Sequence, residues 1–357
     1  MNLKKGKALF VLIVLLSLLV FGIVSSITGK TIIIGVPLTL PPAIATHSVN
    51  TNSIKELWSL SDVYTSQSDL TLMMTADAGK IALIGSLDKN ILIAGLICLD
   101  SSDGHLNWQM QDRLDEPGYF SSLTANSGEL FVGYGGESSV KKYDFATGDL
   151  LWSQSIEGGG QPYIFIVDKE IQIPTKPFWF TALDSATGKI LRTIKEDSIF
   201  ISTVDDTFLR WGSGMRAIKT DTGDLVWEVD LDHELTMQPV FTEYTIFLRS
   251  GNGIGSIYAI DRSTGKILWK TDDTFISDIA FSDKKDLVYV INQNGEVWEI
   301  NGSSGERKPI IKFTNTPFQI NGPEATVGGY EIAYDNTENI LYVLLGDSTQ
   351  LFAFKVE

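Results

Sequence analysis

Asp261 and Lys266 stand five positions apart in the segment SIYAIDRSTGKILWK, Ser256 to Lys270. A carboxylate and an ammonium so close could act as an acid–base pair on a ligand. Other chemistry-bearing residues are few. There is one thiol, Cys98, and three imidazoles, His47, His105 and His233. A single Cys rules out an internal disulfide and a Cys-rich metal site. No two His share a ligand spacing such as H-x-x-x-H, so none is read as catalytic or metal-binding. The acidic pairs Asp205-Asp206 and Asp272-Asp273 fall in expected turns or linkers, where only a weak surface calcium site would be at stake. The choice for Asp261 and Lys266 is between a site and a structural unit used repeatedly.

Repetition decides it. Aligned on glycine, the segment occurs six times, as Cys98–Trp108, Lys142–Trp152, Ala182–Arg192, Ala217–Trp227, Ala259–Trp269 and Glu299–Pro309. The glycines are Gly104, Gly148, Gly188, Gly223, Gly265 and Gly305, spaced 35 to 44 residues apart. Each copy reads as a hairpin: a β-prone strand, a turn, and a returning strand that usually ends in Trp. In such a turn Asp100, Asp144, Asp184 and Asp261 accept backbone N–H groups two residues on. The glycine supplies a positive φ without steric cost. Asp261 and Lys266 are thus a turn carboxylate and a solvated lysine. With two further strands upstream of each hairpin (in the fifth unit Pro239–Thr242 and Thr245–Arg249, in the sixth Asp278–Phe281 and Asp286–Ile291), four short strands per period predict propeller blades. The chain ends in QLFAFKVE, half a hairpin, and IKELWSL near the start supplies the missing half. The expectation is an all-β, seven-bladed propeller of four-stranded blades over residues 54–357, the last blade closed by a strand near Glu56–Ser59.

The motif residues resemble the pyrroloquinoline-quinone-type propeller repeat, Ala-x-Asp-x-x-Thr-Gly-x-x-x-Trp. Ala259–Trp269 carries every motif residue, Glu299–Pro309 only the glycine. The resemblance implies that each Trp docks on the turn of the neighbouring blade, a role for Trp58, Trp108, Trp152, Trp227 and Trp269. Arg192 and Pro309 leave gaps in that girdle. The family includes quinone-dependent dehydrogenases, which have eight blades, a channel calcium ion and a disulfide between adjacent cysteines. One Cys cannot make that disulfide, so neither quinone nor any other cofactor is expected. The nearest functional analogy is the non-catalytic propeller scaffold of outer-membrane barrel assembly, which differs in having eight blades and a lipid-modified Cys.

Residues 1–26 hold three Lys and then an uncharged apolar run from Ala8 to Val24. Its 17 residues sit between a signal-peptide core and a membrane span. The expectation is a signal anchor (a membrane helix) or a signal peptide at 1–26, an extended Thr/Ser/Pro-rich stalk at 27–53, and the propeller at 54–357. The propeller then lies outside the cytoplasm, on a single-pass anchor or secreted. Formal net charge is −16, and the four Lys of the first 30 residues meet no acid, so the remainder carries −20. Such acidity argues against nucleic acid. No G-x-S-x-G, P-loop, H-E-x-x-H or EF-hand pattern is present. GNGIG (Gly251–Gly255) reads as a hairpin turn and GGG (Gly158–Gly160) as a linker. Asn301-Gly302-Ser303 matches a glycosylation pattern but falls in a tight turn. The insert Ile310–Gly329, with Phe313, Phe318 and Tyr330, would offer aromatic contact surface.

The function expected is a non-catalytic binding or scaffold module for a protein or glycan, monomeric, touching the membrane only through its N-terminal helix. The alternative is an exported enzyme with a carboxylate or metal site in the propeller channel.

Overall fold

The fifth unit shows how the repeat folds in the computed structural model of the chain. Strand Ser256–Asp261 pairs antiparallel with Ile267–Lys270, and Ala259 sits opposite Trp269. The register slips between Ala259 and Ile260, so Ile260 faces Ile267 and Leu268 is extra. A bulge of this kind turns the strand and re-aims its side chains. The same register recurs with a small residue opposite the indole as Ala217–Trp227, Cys98–Trp108 and Ala353–Trp58, and with Lys142 opposite Trp152.

The structure describes residues 23–25, 31–33, 46–50, 53–61, 63, 74–85, 95–111, 120–135, 138–157, 164–167, 169–175, 179–195, 200–204, 207–211, 214–219, 222–232, 239–251, 254–314, 330–345 and 350–357. All of the elements among them are strands. Blade 1 runs Met74–Asp77, Lys80–Gly85, Gly95–Asp100, Leu106–Gln111; blade 2, Phe120–Asn126, Glu129–Tyr134, Ser139–Asp144, Leu150–Ser155. Blade 3 is Phe165–Val167, Glu170–Thr175, Trp179–Asp184, Ile190–Lys195, and blade 4 is Phe200–Val204, Thr207–Trp211, Gly214–Lys219, Leu225–Asp230. Blade 5 is Val240–Phe241, Thr245–Ser250, Ser256–Asp261, Ile267–Lys270. Blade 6 is Ala280–Ser282, Leu287–Ile291, Glu296–Asn301, Arg307–Thr314, with Thr46–Val49 added outside. Blade 7 is Tyr330–Asp335, Ile340–Leu345, Gln350–Val356, completed by Ile54–Leu60.

The expectation of seven four-stranded blades is therefore corrected: six sheets have four strands, and the sheet at 280–314 has five. Thr46–Val49, read from the sequence as stalk, pairs antiparallel with Ile311–Thr314. What holds it is His47, whose ring lies 5.8, 5.5 and 5.2 Å from those of Phe313, Phe352 and Phe354, with Nε2 3.1 Å from Glu56. Burying three aromatic faces outweighs the polar character of the THSV strand. Blade 6 also explains its own poor motif match. Its bulge lies between Val297 and Trp298, two residues upstream of the place it takes elsewhere, so Glu299 faces Lys308 and forms an ion pair at 3.0 Å.

The ring closes as the sequence implies. Ile54–Leu60 pairs with Gln350–Val356, and the Glu357 amide donates to the Ser53 carbonyl at 2.8 Å. First strands brace the next blade: Asp335 accepts the Gly79 amide at 2.7 Å and Asp77 the Gly128 amide at 2.7 Å. The apolar core lies between blades, as in the cluster of Tyr289, Ile291, Tyr334, Leu341 and Phe354. A separate unit, Met1–Ala43, holds a short antiparallel pair, Ile23–Ser25 with Thr31–Ile33. Ile23–Ser25 is thus strand where a helix through residue 26 was expected; residues 1–22 lie outside the described residues. Among the described residues no helix is long and apolar enough to cross a membrane.

Candidate functional site

The two ends of the blades differ in what they present. At one end the Asp–Gly turns join third to fourth strands. Asp261 Oδ1 accepts the amides of Ser263 at 3.0 Å and Thr264 at 2.8 Å, and the Gly265 amide returns to the Asp261 carbonyl at 2.8 Å. The hydroxyls of Ser263 and Thr264, and then the amides of the same two residues, hold the Asp261 carboxyl below its usual range. Asp184 is lowered by Thr187, and Asp100 chiefly by Lys80, whose Nζ is 2.5 Å away. Gly265 is required twice: its φ is +71°, and a Cβ there would lie 2.5 Å from Trp227 Cε3.

That indole belongs to the preceding blade. Trp227 Nε1–H donates to the Arg262 carbonyl at 3.1 Å. The same bond joins Trp58 to Ser101 at 2.7 Å, Trp108 to Phe145 at 3.0 Å, Trp152 to Ser185 at 3.2 Å and Trp269 to Gly302 at 2.7 Å. Gly104, Gly148, Gly188 and Gly305 lie under these rings, each too close to admit a Cβ. Gly223 differs: its φ is +75° but nothing lies within 4 Å of a Cβ built on it. The residue at the Trp position before it is Arg192, which turns to Glu170 with bonds of 2.7 and 2.6 Å.

The opposite end carries charge. Arg249 is the penultimate residue of the second strand of blade 5, Asp278 precedes blade 6 and Glu331 lies in the first strand of blade 7. Antiparallel order places all three away from the turns. Arg249 is 2% and Glu331 4% exposed, and Arg249 Nη1 donates to the Phe275 carbonyl at 3.1 Å. Phe275 bridges Gly255 and Asn292, so the guanidinium is tied to the seam between blades 5 and 6. Burial pushes the Asp278 carboxyl up to about 6 against the pull of Arg249. Burial, with the neighbouring Asp278, drives Glu331 well above the usual carboxylate range. Burial also lowers the Arg249 guanidinium, opposed by both acids. Burial raises both carboxyls, and the charge of Asp278 further disfavours ionisation of Glu331 near one buried cation.

The remaining sequence candidates disperse. Cys98 is buried opposite Trp108, its thiol pushed up to about 12 by burial. His105 Nδ1 lies 2.6 Å from Asp103, and with Asp100 they form the metal-capable group found among the described residues, on an exposed turn. His233, Asp205, Asp206, Phe318 and the GGG at 158–160 lie outside the described residues. Asp272 is exposed, while Asp273 accepts Arg307 Nε at 2.6 Å. GNGIG joins the hairpin strands Thr245–Ser250 and Ser256–Asp261. The Gly302 carbonyl takes the Trp269 indole, so Asn301-Gly302-Ser303 sits in a covered turn. Phe313 at 1% and Tyr330 at 5% exposure are buried, which corrects their expected part in an aromatic contact surface. The charge cluster was missed. Its one sequence signal is a cation or acid inside an apolar strand, TIFLRS and YEIAYD.

Comparison with known proteins agrees with this geometry. A family model described as outer membrane protein assembly factor BamB (PQQ_2) matches residues 136–319, just over half of the chain. A curated relative, the outer membrane protein assembly factor BamB of Yersinia pestis, is 21% identical over 242 residues, covering 59% of this chain; the chain spans 60% of that relative's length. Among solved structures, BamB from Moraxella catarrhalis aligns with TM-score 0.48 and 15% identity, over 85% of this chain and 97% of that one. A chain of the mitotic checkpoint complex aligns with TM-score 0.61 and 11% identity, over 87% of this chain and 96% of that one, a likeness of fold alone. With its repeated Ala-x-Asp-x-x-Thr-Gly turns and the indoles seated on them, the chain belongs to the PQQ_2 propeller repeat family.

Proposed function

We propose that this protein is an exported, non-catalytic propeller scaffold that engages a protein partner. The observation that carries the reading is the family match, since the relatives it reaches are outer membrane protein assembly factors. A rigid ring held by between-blade indole bonds suits a scaffold, because it offers a preformed surface whose binding costs little ordering entropy. The strongly acidic chain favours a partner with a basic face. Export follows from the Lys-flanked apolar run at 8–24, with the propeller at 54–357 outside the cytoplasm, anchored or released. No cofactor enters this reading.

The test is crosslinking in intact cells with a tagged full-length chain, beside Trp227→Ala as a disrupted-propeller control. A defined protein adduct with the native chain and not with the control supports the scaffold. No adduct with either overturns it. The Arg249, Asp278 and Glu331 cluster favours a second reading, channel chemistry by carboxylates. Turnover abolished by Glu331→Gln in an otherwise intact propeller would establish it.

A further inference from the structure

The break in the tryptophan girdle has the form of a receptor. At five turns the glycine lies beneath an indole from the preceding blade, and each glycine is buried or half-buried. Gly223 keeps the same left-handed φ of +75° and the same return bond, its amide donating to the Lys219 carbonyl at 3.0 Å. Yet it is exposed, with open space where the ring would lie. The described part of this turn, its glycine φ and its return bond, matches the other five, and the glycine lacks only its cover.

The Arg192–Glu170 pair keeps the place open. Arg192 sits opposite Ala182, the ladder position of the motif Trp, but its guanidinium is held bidentately by Glu170 and lies 5.9 Å from the Phe180 ring centre, within blade 3. A bidentate carboxylate clamp fixes a planar guanidinium in one orientation. Beside the notch, Ile190 and Leu191 of blade 3 and Leu225 and Val226 of blade 4 are exposed by 39%, 49%, 56% and 43%. The adjoining Asp224 carboxylate is exposed and accepts the Thr222 hydroxyl at 2.8 Å.

We propose that the vacant turn at Gly223, between blades 3 and 4, is a docking notch for a tryptophan side chain of a partner protein, presented beside Lys or Arg. The occupant is read from the molecule itself: five filled copies of the notch hold indole, stacked on the glycine and donating Nε1–H to the turn. A partner's Trp would stack on Gly223 as the protein's own rings stack on their glycines. The flanking aliphatics would bury the rest of the ring. Asp224 supplies the complement for an adjacent cation in a chain of charge −16. The proposal rests on the scaffold reading and gives that scaffold an address.

The probe is the capped tripeptide Lys-Trp-Lys carrying 5-fluorotryptophan, titrated with the purified full chain and followed by fluorine NMR line broadening. Saturable binding is expected with the native protein. Arg192→Trp, which fills the notch from within, should weaken it at least about tenfold and raise the melting temperature. Leu225→Asp, an exposed change that leaves the core intact, should weaken binding at least about fivefold and guards against misfolding of the first variant. No saturable binding, or equal binding to all three proteins, overturns the notch. A cellular adduct that survives Leu225→Asp would leave the scaffold standing and overturn only this site.

Discussion

The turn end and the opposite end of the blades are held by different physics. The turn end repeats one neutral device: a backbone carbonyl, an indole N–H and a glycine that only a flat ring can cover. Its aspartates are stabilised as anions by nearby N–H and O–H groups. The opposite end, at blades 5 to 7, uses one unrepeated cluster in which Asp278 and Glu331 are destabilised as anions. Repetition with local partners makes one end tolerant of sequence drift. Charge drawn from three blades makes the other end depend on the whole ring.

The largest expected effect lies at the turn end. Trp227→Ala removes a 7% exposed indole and the bond to Arg262. It should cost about 3–5 kcal/mol by urea unfolding, while Arg192→Ala, at the girdle's gap, should cost less than about 1 kcal/mol. A similar loss for both would break the contrast between filled and vacant turns. Next is a pair of glycines. Gly265→Ala combines left-handed strain with a clash against Trp227, whereas Gly223→Ala meets open space. Strain alone costs roughly 1–2 kcal/mol, and the clash should add about 1–3 kcal/mol at Gly265 only.

The third prediction concerns pH and separates the two ends by sign. A carboxyl whose folded pKa is raised binds its proton more tightly in the native state, so stability falls as pH rises from about 4 through about 6 at Asp278. Asp278→Asn should flatten that decline between about pH 4 and about 6. Thermal melts from pH 4 to about 8 would show it. A variant with an unchanged slope would sink the assignment. The smallest effect is at Asp261. Its folded pKa is lowered, so its contribution is present above the unfolded value and lost as pH falls through the folded one. Because the carboxylate is solvent-facing, Asp261→Asn should cost only about 0.5 kcal/mol, and only above pH ~4.

Much of this was legible in residues. Gly104 and its five counterparts announced the turns because a positive φ is a local demand that side-chain type reveals. Trp58 announced the closure of blade 7 because its partner strand lacked one. The candidate site was less legible. Arg249, Asp278 and Glu331 are 29 and 53 residues apart along the chain, and no periodicity links them. The fifth strand at Thr46–Val49 was hidden because THSV is unremarkable until His47 meets three phenylalanines of blades 6 and 7.

The sequence by itself determined the repeat and the chemistry of its turns, which follow from short-range spacing, while the partners of its indoles and the break in the girdle were what the resemblance to the propeller repeat implied. Only the tertiary structure decided that Arg192 folds back on Glu170 and leaves Gly223 bare, that a strand from residues 46–49 widens one sheet, and that three charges converge away from the turns. Those outcomes depend on which blades come to lie side by side, and burial there sets the cost of each charge.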